Sequence, residues 1–149
     1  MERTLIILKP DAVQRGLIGE IIGRLERRGL QVIGLKMLAV DRELAERHYA
    51  VHQGKGFYEG LITYIIASPV VVGVLAGANA IAITRMTIGA TRPAEAAPGT
   101  IRGDLAVDVG RNLIHASDSV ENGEQEVNLW FRPDELVEYQ VTNQPWIRE

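Results

Sequence analysis

The sequence predicts an α+β fold in which four strands form a small sheet and helices cover it. Apolar runs of strand length alternate with segments in which apolar residues recur at helical spacing, in the order strand, helix, strand, helices, strand, helix, strand, helix. Only the first strand, helix and second strand have an obvious βαβ rhythm. Pattern alone leaves a doubly wound sheet and a split βαβ (ferredoxin-like) sheet open. The split form is favoured, because four strands are few for a doubly wound sheet.

Length and composition restrict the class of protein. A chain of 149 residues is expected to form a single domain, residues 1–149, with a real core. Hydrophobic residues make up 46% and the net charge is −3, which suits a globular protein and argues against non-specific coating of nucleic acid. The lack of cysteine excludes disulfides and thiolate metal sites. No segment approaches a membrane span or a signal peptide, so a cytoplasmic location is expected.

The first elements follow from apolar spacing. The segment RTLIILKPD is predicted to be a buried strand that Pro10 stops. Apolar residues from Leu17 to Leu25 recur at helical spacing, and Gly29 marks the end of that helix. LQVIGLKMLAV is predicted to be a second strand with alternating apolar side chains on one face.

Helices and one strand are predicted for the middle of the chain. Asp41 is the candidate N-cap of a helix that runs towards Tyr49. GKGFYEGLITYIIAS begins loosely and becomes an apolar helix, PVVVGVLAG is a β-branched strand, and NAIAITRMTIG is a helix that ends at Gly89.

A loop rich in arginine, threonine, proline and glycine follows, from Gly89 to Gly103. A structureless run of this length in a compact domain is usually functional. Arginine matches phosphate oxygens bidentately, so arginines around such a loop suggest a phosphate site, although each alone is equally consistent with a solvated surface charge. The arginines in or near the loop are Arg85, Arg92, Arg102 and Arg111.

The most informative segment is GRNLIHASDSVENGEQEV. NLIH is predicted to be a short fourth strand, and Asp118 with Glu121 predicts a capping box that starts a final helix through Phe131. His115 therefore lies between a strand end and a helix start. A strand end holds the imidazole rigidly, and a helix N-terminus favours anions.

Three roles are open to His115. A lone histidine is most often a core residue satisfied by a hydrogen bond. As a metal ligand it lacks neighbours in the sequence, because His48 and His52 are far off and lack the zinc-protease pattern. As a nucleophile or acid–base it has a suitable pKa range, with Ser117 and Glu126 available to orient it.

The sequence contains no G-x-x-x-x-G-K-[ST] motif, and the GKG at 54–56 is too short to replace it. A phosphate-handling chain of this kind cannot use the ordinary nucleotide loop. Covalent catalysis by histidine is a natural substitute, because it divides one phosphoryl transfer into two steps.

NLIHASDS resembles the N-x-x-H-G-S-D signature of nucleoside diphosphate kinases. The resemblance extends from TLIILKPDAVQRGLIGEII through RPAEAAPGTIRGDLA and GRNLIH to the terminal WIRE. Several motifs in the right order make it specific. It implies a ferredoxin-like, four-stranded antiparallel sheet with covering helices.

The resemblance also implies a ping-pong exchange of the terminal phosphate between nucleoside triphosphates and diphosphates. His115 matches the phosphorylated histidine, with Nδ1 attacking, and Mg²⁺ is carried by the phosphates without a direct protein ligand; Asp118 would reach it only through water. The other matches are Tyr49, Ser117 and Glu126 around the histidine; Arg85, Thr91 and Arg102 on the phosphates; Lys9 and Asn112 on the sugar; and Phe57 and Val109 around the base.

Ala116 stands where the family pattern has glycine. Its methyl group is expected to crowd the phosphoryl group or restrict φ, without abolishing activity. The apolar pair Trp146 and Ile147 near the chain end, together with the resemblance, predicts a homo-hexamer rather than a tetramer.

Two other classes of protein would leave different marks on the sequence. A catalytically silent relative would lack the histidine or a phosphate arginine, and neither is missing. A sequence-specific nucleic-acid module would carry aromatic residues on adjacent strands, and no such pattern is present, so neither a nucleic acid nor a membrane is expected as a partner.

Overall fold

The structure is a computed structural model that describes residues Met1 to Glu149. Its strands are β1 (Glu2–Leu8), β2 (Gln31–Leu38), β3 (Val70–Gly77) and β4 (Ile114–Ala116). They form one sheet in the order β2-β3-β1-β4, and every pairing is antiparallel. Because β3 lies between β1 and β2, the βαβ unit is split. The predicted α+β class and four-stranded antiparallel sheet are confirmed, and the doubly wound alternative is wrong.

Seven α-helices accompany the sheet. They are α1 (Pro10–Gln14), α2 (Ile18–Arg27), α3 (Arg42–His48), α4 (Tyr58–Ile65), α5 (Ala80–Ile88), α6 (Ile101–Leu105) and α7 (Val120–Trp130). Short 3₁₀ turns occupy Ala50–His52, Pro93–Glu95, Pro133–Glu135 and Gln144–Trp146. None of the helices combines the length and apolar character needed to cross a bilayer.

Two short helices were missed by the sequence patterns. Pro10 does stop β1, but it also occupies the first turn of α1, where its missing N–H costs nothing. The loop predicted to be structureless contains α6, which begins after Thr100, whose hydroxyl accepts from the backbone N–H of Gly103 at 3.0 Å. Helices of five residues are too short to show an apolar period.

Of the two helix caps predicted from the sequence, one is confirmed and the other lies one residue further along the chain. Asp41 caps α3 as predicted, since its carboxylate accepts from the N–H of Leu44 at 2.7 Å. The N-cap of α7 is Ser119 rather than Asp118, because the Ser119 hydroxyl accepts from the N–H of Asn122 at 3.1 Å. Asp118 instead accepts from the Asn122 side chain at 2.6 Å.

The core consists of two apolar clusters, and alternate side chains of β1 supply both. Ile6 and Leu8 pack with apolar residues of α1, α2 and α5, whereas Leu5 and Ile7 pack with those of α3, α4 and α7. All four side chains are buried. Strand β1 is therefore held from both faces, and it is the strand against which β4, and with it His115, is paired.

Candidate active site

His115 occupies the middle of β4, opposite Ile7 of β1. Its backbone is fixed by the sheet, while its side chain is 26% exposed and reaches a cleft of about 460 Å³. The cleft lies between the end of α3, β4 and the first turns of α7. Its lining includes His48, Tyr49, Arg85, Asp118 and Glu126.

Glu126 connects two of the predicted site residues. One carboxylate oxygen lies 2.9 Å from His115 Nε2, and the other accepts from the Ser117 hydroxyl at 2.5 Å. Ser117 is anchored in turn, because its oxygen accepts from the N–H of Leu5 at 3.0 Å. This arrangement engages Nε2 of the imidazole and leaves Nδ1 without a hydrogen bond to the protein.

Burial would raise the pKa of Glu126, but hydrogen bonding and charge at His115, the Ser117 hydrogen bond and the charge of His48 together hold it below its ordinary value. The carboxylate is therefore ionised beside the ring. A carboxylate that accepts from Nε2–H also selects the tautomer whose Nδ1 carries the lone pair.

His48 is a neighbour of His115 that sequence reasoning placed too far away. The two ring centroids lie 4.8 Å apart, edge to face, and His48 Nδ1 accepts from the indole N–H of Trp130 at 3.1 Å. Burial, followed by the charge of His115, lowers the pKa of His48 to about 3, so its ring is neutral. No local spacing links α3 to β4, and only the fold brings these rings together.

The side chains of His48, His115 and Glu126 lie close enough to hold a metal ion. The Nδ1 lone pair of His48 is already used by the Trp130 indole, however, and a metal ligand needs that lone pair. Glu126 likewise has both oxygens engaged. The geometry therefore fits a hydrogen-bonded histidine better than a metal centre.

Tyr49 supports the site through His48 rather than through His115. Its ring packs edge to face on His48 at 4.7 Å between centroids, and burial followed by the charge of Glu126 raises its pKa to about 12. Its backbone N–H also donates to Ala45 at the end of α3, so the residue closes the helix as well as lining the cleft.

Two arginines line the cavities of this site without a carboxylate partner. Arg85 lines both the main cleft and a second cavity of about 160 Å³, which Thr91 and Arg102 also line. Neither Arg85 nor Arg102 forms an ion pair. Two uncompensated guanidinium groups make this cavity suitable for an anion. Of the other arginines near the loop, Arg111 stacks on Tyr64 at 4.1 Å, and Arg92 lines neither cavity.

Arg102 also holds the backbone around β4. It donates to the carbonyl oxygens of Gly89, Asn112 and Ile114 at 3.1, 3.1 and 2.5 Å. A guanidinium has five N–H groups, so two remain for a ligand. Burial, followed by the charge of Arg85, lowers the pKa of Arg102 to about 10.

Two further hydrogen bonds connect Lys9, Asn112 and Thr91. Lys9 Nζ donates to Asn112 Oδ1 at 2.6 Å, and the Asn112 amide donates to the carbonyl oxygen of Thr91 at 2.9 Å. Burial, followed by the charge of Arg102, lowers the pKa of Lys9 to about 8. The structure thus brings together two residues that the resemblance assigns to the sugar.

The resemblance assigns Phe57 and Val109 to the base, and these residues are more exposed than those that it places around His115. The two residues are 53% and 45% exposed, and neither lines the two cavities. Phe57 packs edge to face on His52 at 5.2 Å, and Lys55 Nζ lies 5.7 Å from its ring centroid.

Ala116 is accommodated without backbone strain. The non-glycine residues with positive φ are Asn79 and Leu113, so Ala116 adopts a conformation open to any residue. Its carbonyl oxygen accepts from Arg85 at 3.2 Å, and its side chain lines both cavities. The restriction of φ expected from a missing glycine therefore does not arise.

A sequence model described as "Nucleoside diphosphate kinase" matches residues 2–136. A nucleoside diphosphate kinase from Roseiflexus sp. is 63% identical over 100% of both chains, and one from Archaeoglobus fulgidus is 55% identical over 100% of this chain and 99% of its own. Among solved structures, a halophilic nucleoside diphosphate kinase from Halobacterium salinarum in complex with CDP superposes with a TM-score of 0.96. It is 47% identical over 99% of each chain.

These matches confirm the resemblance read from NLIHASDS and its companion motifs. They extend over the sheet, both cavities and the segment from Asn112 to Glu126. The protein is thus a nucleotide-binding kinase, and the chain belongs to the nucleoside diphosphate kinase family.

Proposed function

We propose that this enzyme transfers the terminal phosphate of a nucleoside triphosphate to a nucleoside diphosphate by a ping-pong mechanism, through a phosphohistidine at His115. The observation that carries the proposal is the hydrogen bonding of the His115 imidazole. Nε2 is held by an ionised Glu126, Nδ1 is free of protein hydrogen bonds, the unpaired Arg85 lines the same cleft, and the unpaired Arg102 lines the second cavity, which Arg85 also lines. This is an activated nucleophile next to an anion site.

In the first half-reaction, Nδ1 attacks the γ-phosphorus, the bond to the bridging oxygen breaks, and the nucleoside diphosphate leaves. Positive charge develops on the imidazole, and the Glu126 carboxylate stabilises it while Nε2 keeps its proton. In the second half-reaction, a terminal oxygen of another nucleoside diphosphate attacks the same phosphorus, and the electrons of the P–N bond return to Nδ1. Ser117 and Tyr49 act by positioning Glu126 and His48.

Arg85, Thr91 and Arg102 are proposed to hold the phosphates. Arg102 keeps two N–H groups free after its three backbone contacts, and Arg85 spans both cavities. Arginine forks bound to phosphate oxygens stabilise the charge that spreads over them during transfer.

Mg²⁺ is proposed to arrive with the nucleotide. The cleft is lined by two carboxylates, and Glu126 is engaged at both oxygens, so Asp118 alone is left to reach the ion, through water. One available carboxylate is enough for Mg²⁺, which usually binds through substrate phosphates and few protein ligands. When bound, the ion neutralises phosphate charge.

Lys9 and Asn112 are proposed to contact the sugar hydroxyl, and Phe57 and Val109 to contact the base. The complex of the Halobacterium salinarum relative with CDP supports a nucleoside diphosphate in this cleft. Half-exposed apolar side chains suit stacking, which accepts every base. A cytoplasmic location is also proposed, on the basis of these nucleotide substrates.

Labelling tests the mechanism. Incubation with ATP labelled at the γ-phosphate, with Mg²⁺, should give an acid-labile label that peptide mapping assigns to His115. Addition of unlabelled nucleoside diphosphate should remove it as triphosphate. Label on another residue, or exchange without a labelled enzyme, would reject the phosphohistidine.

A homo-hexamer of single-domain chains, residues 1–149, is also proposed. Trp146 is 90% exposed, and Leu35 and Met37 on edge strand β2 are 51% and 58% exposed. Part of the tail folds onto its own subunit, because a Cβ at Gly29 would lie 2.7 Å from Ile147 Cγ2. Exposed apolar groups of this kind suggest partner surfaces.

Light scattering tests the assembly. A mass near one 16.4 kDa chain would reject an oligomer, and a four-chain mass would reject the hexamer. Deletion of residues 145–149 should lower the melting temperature and promote dissociation on dilution. An unchanged mass and melting temperature would show that the tail does not stabilise the assembly.

A further inference from the structure

The backbone immediately before the nucleophile's strand is strained. The carbonyl oxygen of Asn112 accepts from the N–H of Ile114 at 2.9 Å, and Leu113 between them has a φ of 75°. This is a γ-turn with positive φ at its centre, a rare and unfavourable conformation. The other non-glycine residue with positive φ is Asn79, a residue type that tolerates it, whereas Leu113 is a fully buried aliphatic residue.

Such a turn persists only where neighbouring groups hold it. The Leu113 N–H donates to Asp11 Oδ2 at 3.1 Å, and the Leu113 carbonyl oxygen accepts from the N–H of Lys9 at 2.9 Å. Arg102 binds the carbonyl oxygens on either side. Asp11 is the one side chain bound to the central N–H.

Asp11 is itself fixed by Tyr64. The Tyr64 hydroxyl donates to Asp11 Oδ1 at 2.6 Å and accepts from the Asp11 backbone N–H at 3.1 Å. The Arg111 guanidinium covers the Tyr64 ring at 4.1 Å. Burial, and then the hydrogen bond to Asp11, raise the pKa of Tyr64, so the hydroxyl keeps its proton.

The turn determines the direction of two functional side chains. Asn112, on one side, holds Lys9 and Thr91, and His115 follows Ile114 on the other. We infer that Asp11 is a positioning residue for phosphoryl transfer: its carboxylate keeps Leu113 in the γ-turn with positive φ and thereby orients both His115 and Asn112. The inference rests on the proposed phosphohistidine mechanism.

Asp11→Ala removes the acceptor and keeps a good helix former in α1. We expect the single-turnover rate of His115 phosphorylation by Mg-ATP to fall on the order of 10- to 100-fold, because a misplacement of about 1 Å is worth roughly that factor. Glu2→Ala is the matched control: Glu2 accepts from the backbone N–H of Ile81 at the same 3.1 Å, away from the cleft. It should lower the melting temperature without slowing phosphorylation. An unslowed Asp11→Ala would overturn the inference.

A second substitution separates positioning from general support of the fold. Glycine adopts positive φ freely, so Leu113→Gly in the Asp11→Ala background should restore part of the rate, although loss of the buried leucine lowers stability further. Leu113→Ala removes almost the same side chain but keeps Cβ, and it should not restore the rate. Equal rates for the two double variants, or rates that follow the melting temperatures, would overturn the inference.

If Asp11→Ala does not fold, the same pair of Leu113 substitutions is compared in the Tyr64→Phe background, which removes both hydrogen bonds between the Tyr64 hydroxyl and Asp11. Faster phosphorylation with glycine than with alanine supports the inference, and no difference overturns it. The wild-type labelling experiment is read independently: absence of label on His115 there rejects the proposed mechanism, whatever the Asp11 variants do.

Discussion

At the proposed phosphate end of the site, a continuous series of hydrogen bonds of 2.5–3.0 Å joins His115, Glu126, Ser117 and the backbone of β1. At the proposed base end, Phe57 and Val109 are about half exposed. Transfer of a phosphoryl group needs reacting atoms aligned to fractions of an ångström, whereas stacking on a base needs only an apolar face. Under the proposed function, rigidity is required around His115 and variety of base is tolerated at Phe57 and Val109.

The largest contrast is expected from His115→Asn. Loss of a covalent nucleophile typically lowers kcat by on the order of 10⁴ or more, while nucleotide binding should stay within a few-fold of wild type. Steady-state exchange assays and nucleotide titrations measure the two quantities. A variant that keeps a tenth of wild-type turnover would show that another residue carries the phosphate.

Phe57→Ala probes the base end. Stacking is worth roughly 1–3 kcal/mol per base in single-stranded nucleic-acid systems, so kcat/KM should fall by about 5- to 150-fold and by similar factors for ADP, GDP, CDP and UDP. The wild-type values for these acceptors should lie within about two orders of magnitude of one another. Discrimination near 10⁴ would instead indicate a polar group that recognises the base edge.

The pH dependence of kcat/KM tests Lys9. With a pKa of about 8, Lys9 is charged below that pH and loses its charge above it. A charged donor binds a hydroxyl more strongly than a neutral one, so kcat/KM should decline as the pH rises through about 8. In Lys9→Met the values should be lower and this alkaline decline should be absent. The same decline in Lys9→Met would assign it to another group.

The smallest expected effect is on the pH dependence of the free energy of unfolding. It compares His48, which packs against His115, with His52, which packs against Phe57. The pKa of His48 is about 3 in the folded protein and 6.5 when unperturbed. Between these values the unfolded chain binds the extra proton, so His48 makes the folded state less stable as the pH falls from 6.5 towards 3. His48→Gln should therefore lose less unfolding free energy than wild type between pH 7 and pH 5, as measured with urea.

His52→Gln is the control for that comparison, because its ring is only partly buried, against Phe57. It should follow the wild-type acid dependence closely. Equal slopes in all three proteins would show that the buried His48 does not contribute to acid sensitivity.

Sequence reasoning succeeded where the signal is local. The strands have apolar runs or alternating apolar residues, Asp41 lies three residues before its bonding partner, and the segment from His115 to Glu126 carries its own motif. The four-stranded antiparallel sheet came from the family resemblance, whereas the element order alone left two arrangements open.

Prediction from the sequence failed where contacts join segments that are distant along the chain. His48, Trp130 and Asp11 contribute to the surroundings of His115, but no spacing rule relates α3, the end of α7 or α1 to β4. The cap of α7 was misassigned by one residue because Asp118 and Ser119 are both good caps. Only the structure shows that Ser119 accepts from the backbone N–H of Asn122, whereas Asp118 accepts from the Asn122 side chain.

The strand order β2-β3-β1-β4 has a consequence for synthesis of the chain. Strand β1 is synthesised well before its partner on one side, β4, which comes from residues 114–116. Until then, the edge formed by Ile6, Ile7 and Leu8 is an unpaired apolar strand, a surface prone to pairing with other chains. Arrival of the histidine segment closes that edge, so the step that assembles the site is also the step that protects the nascent protein from aggregation.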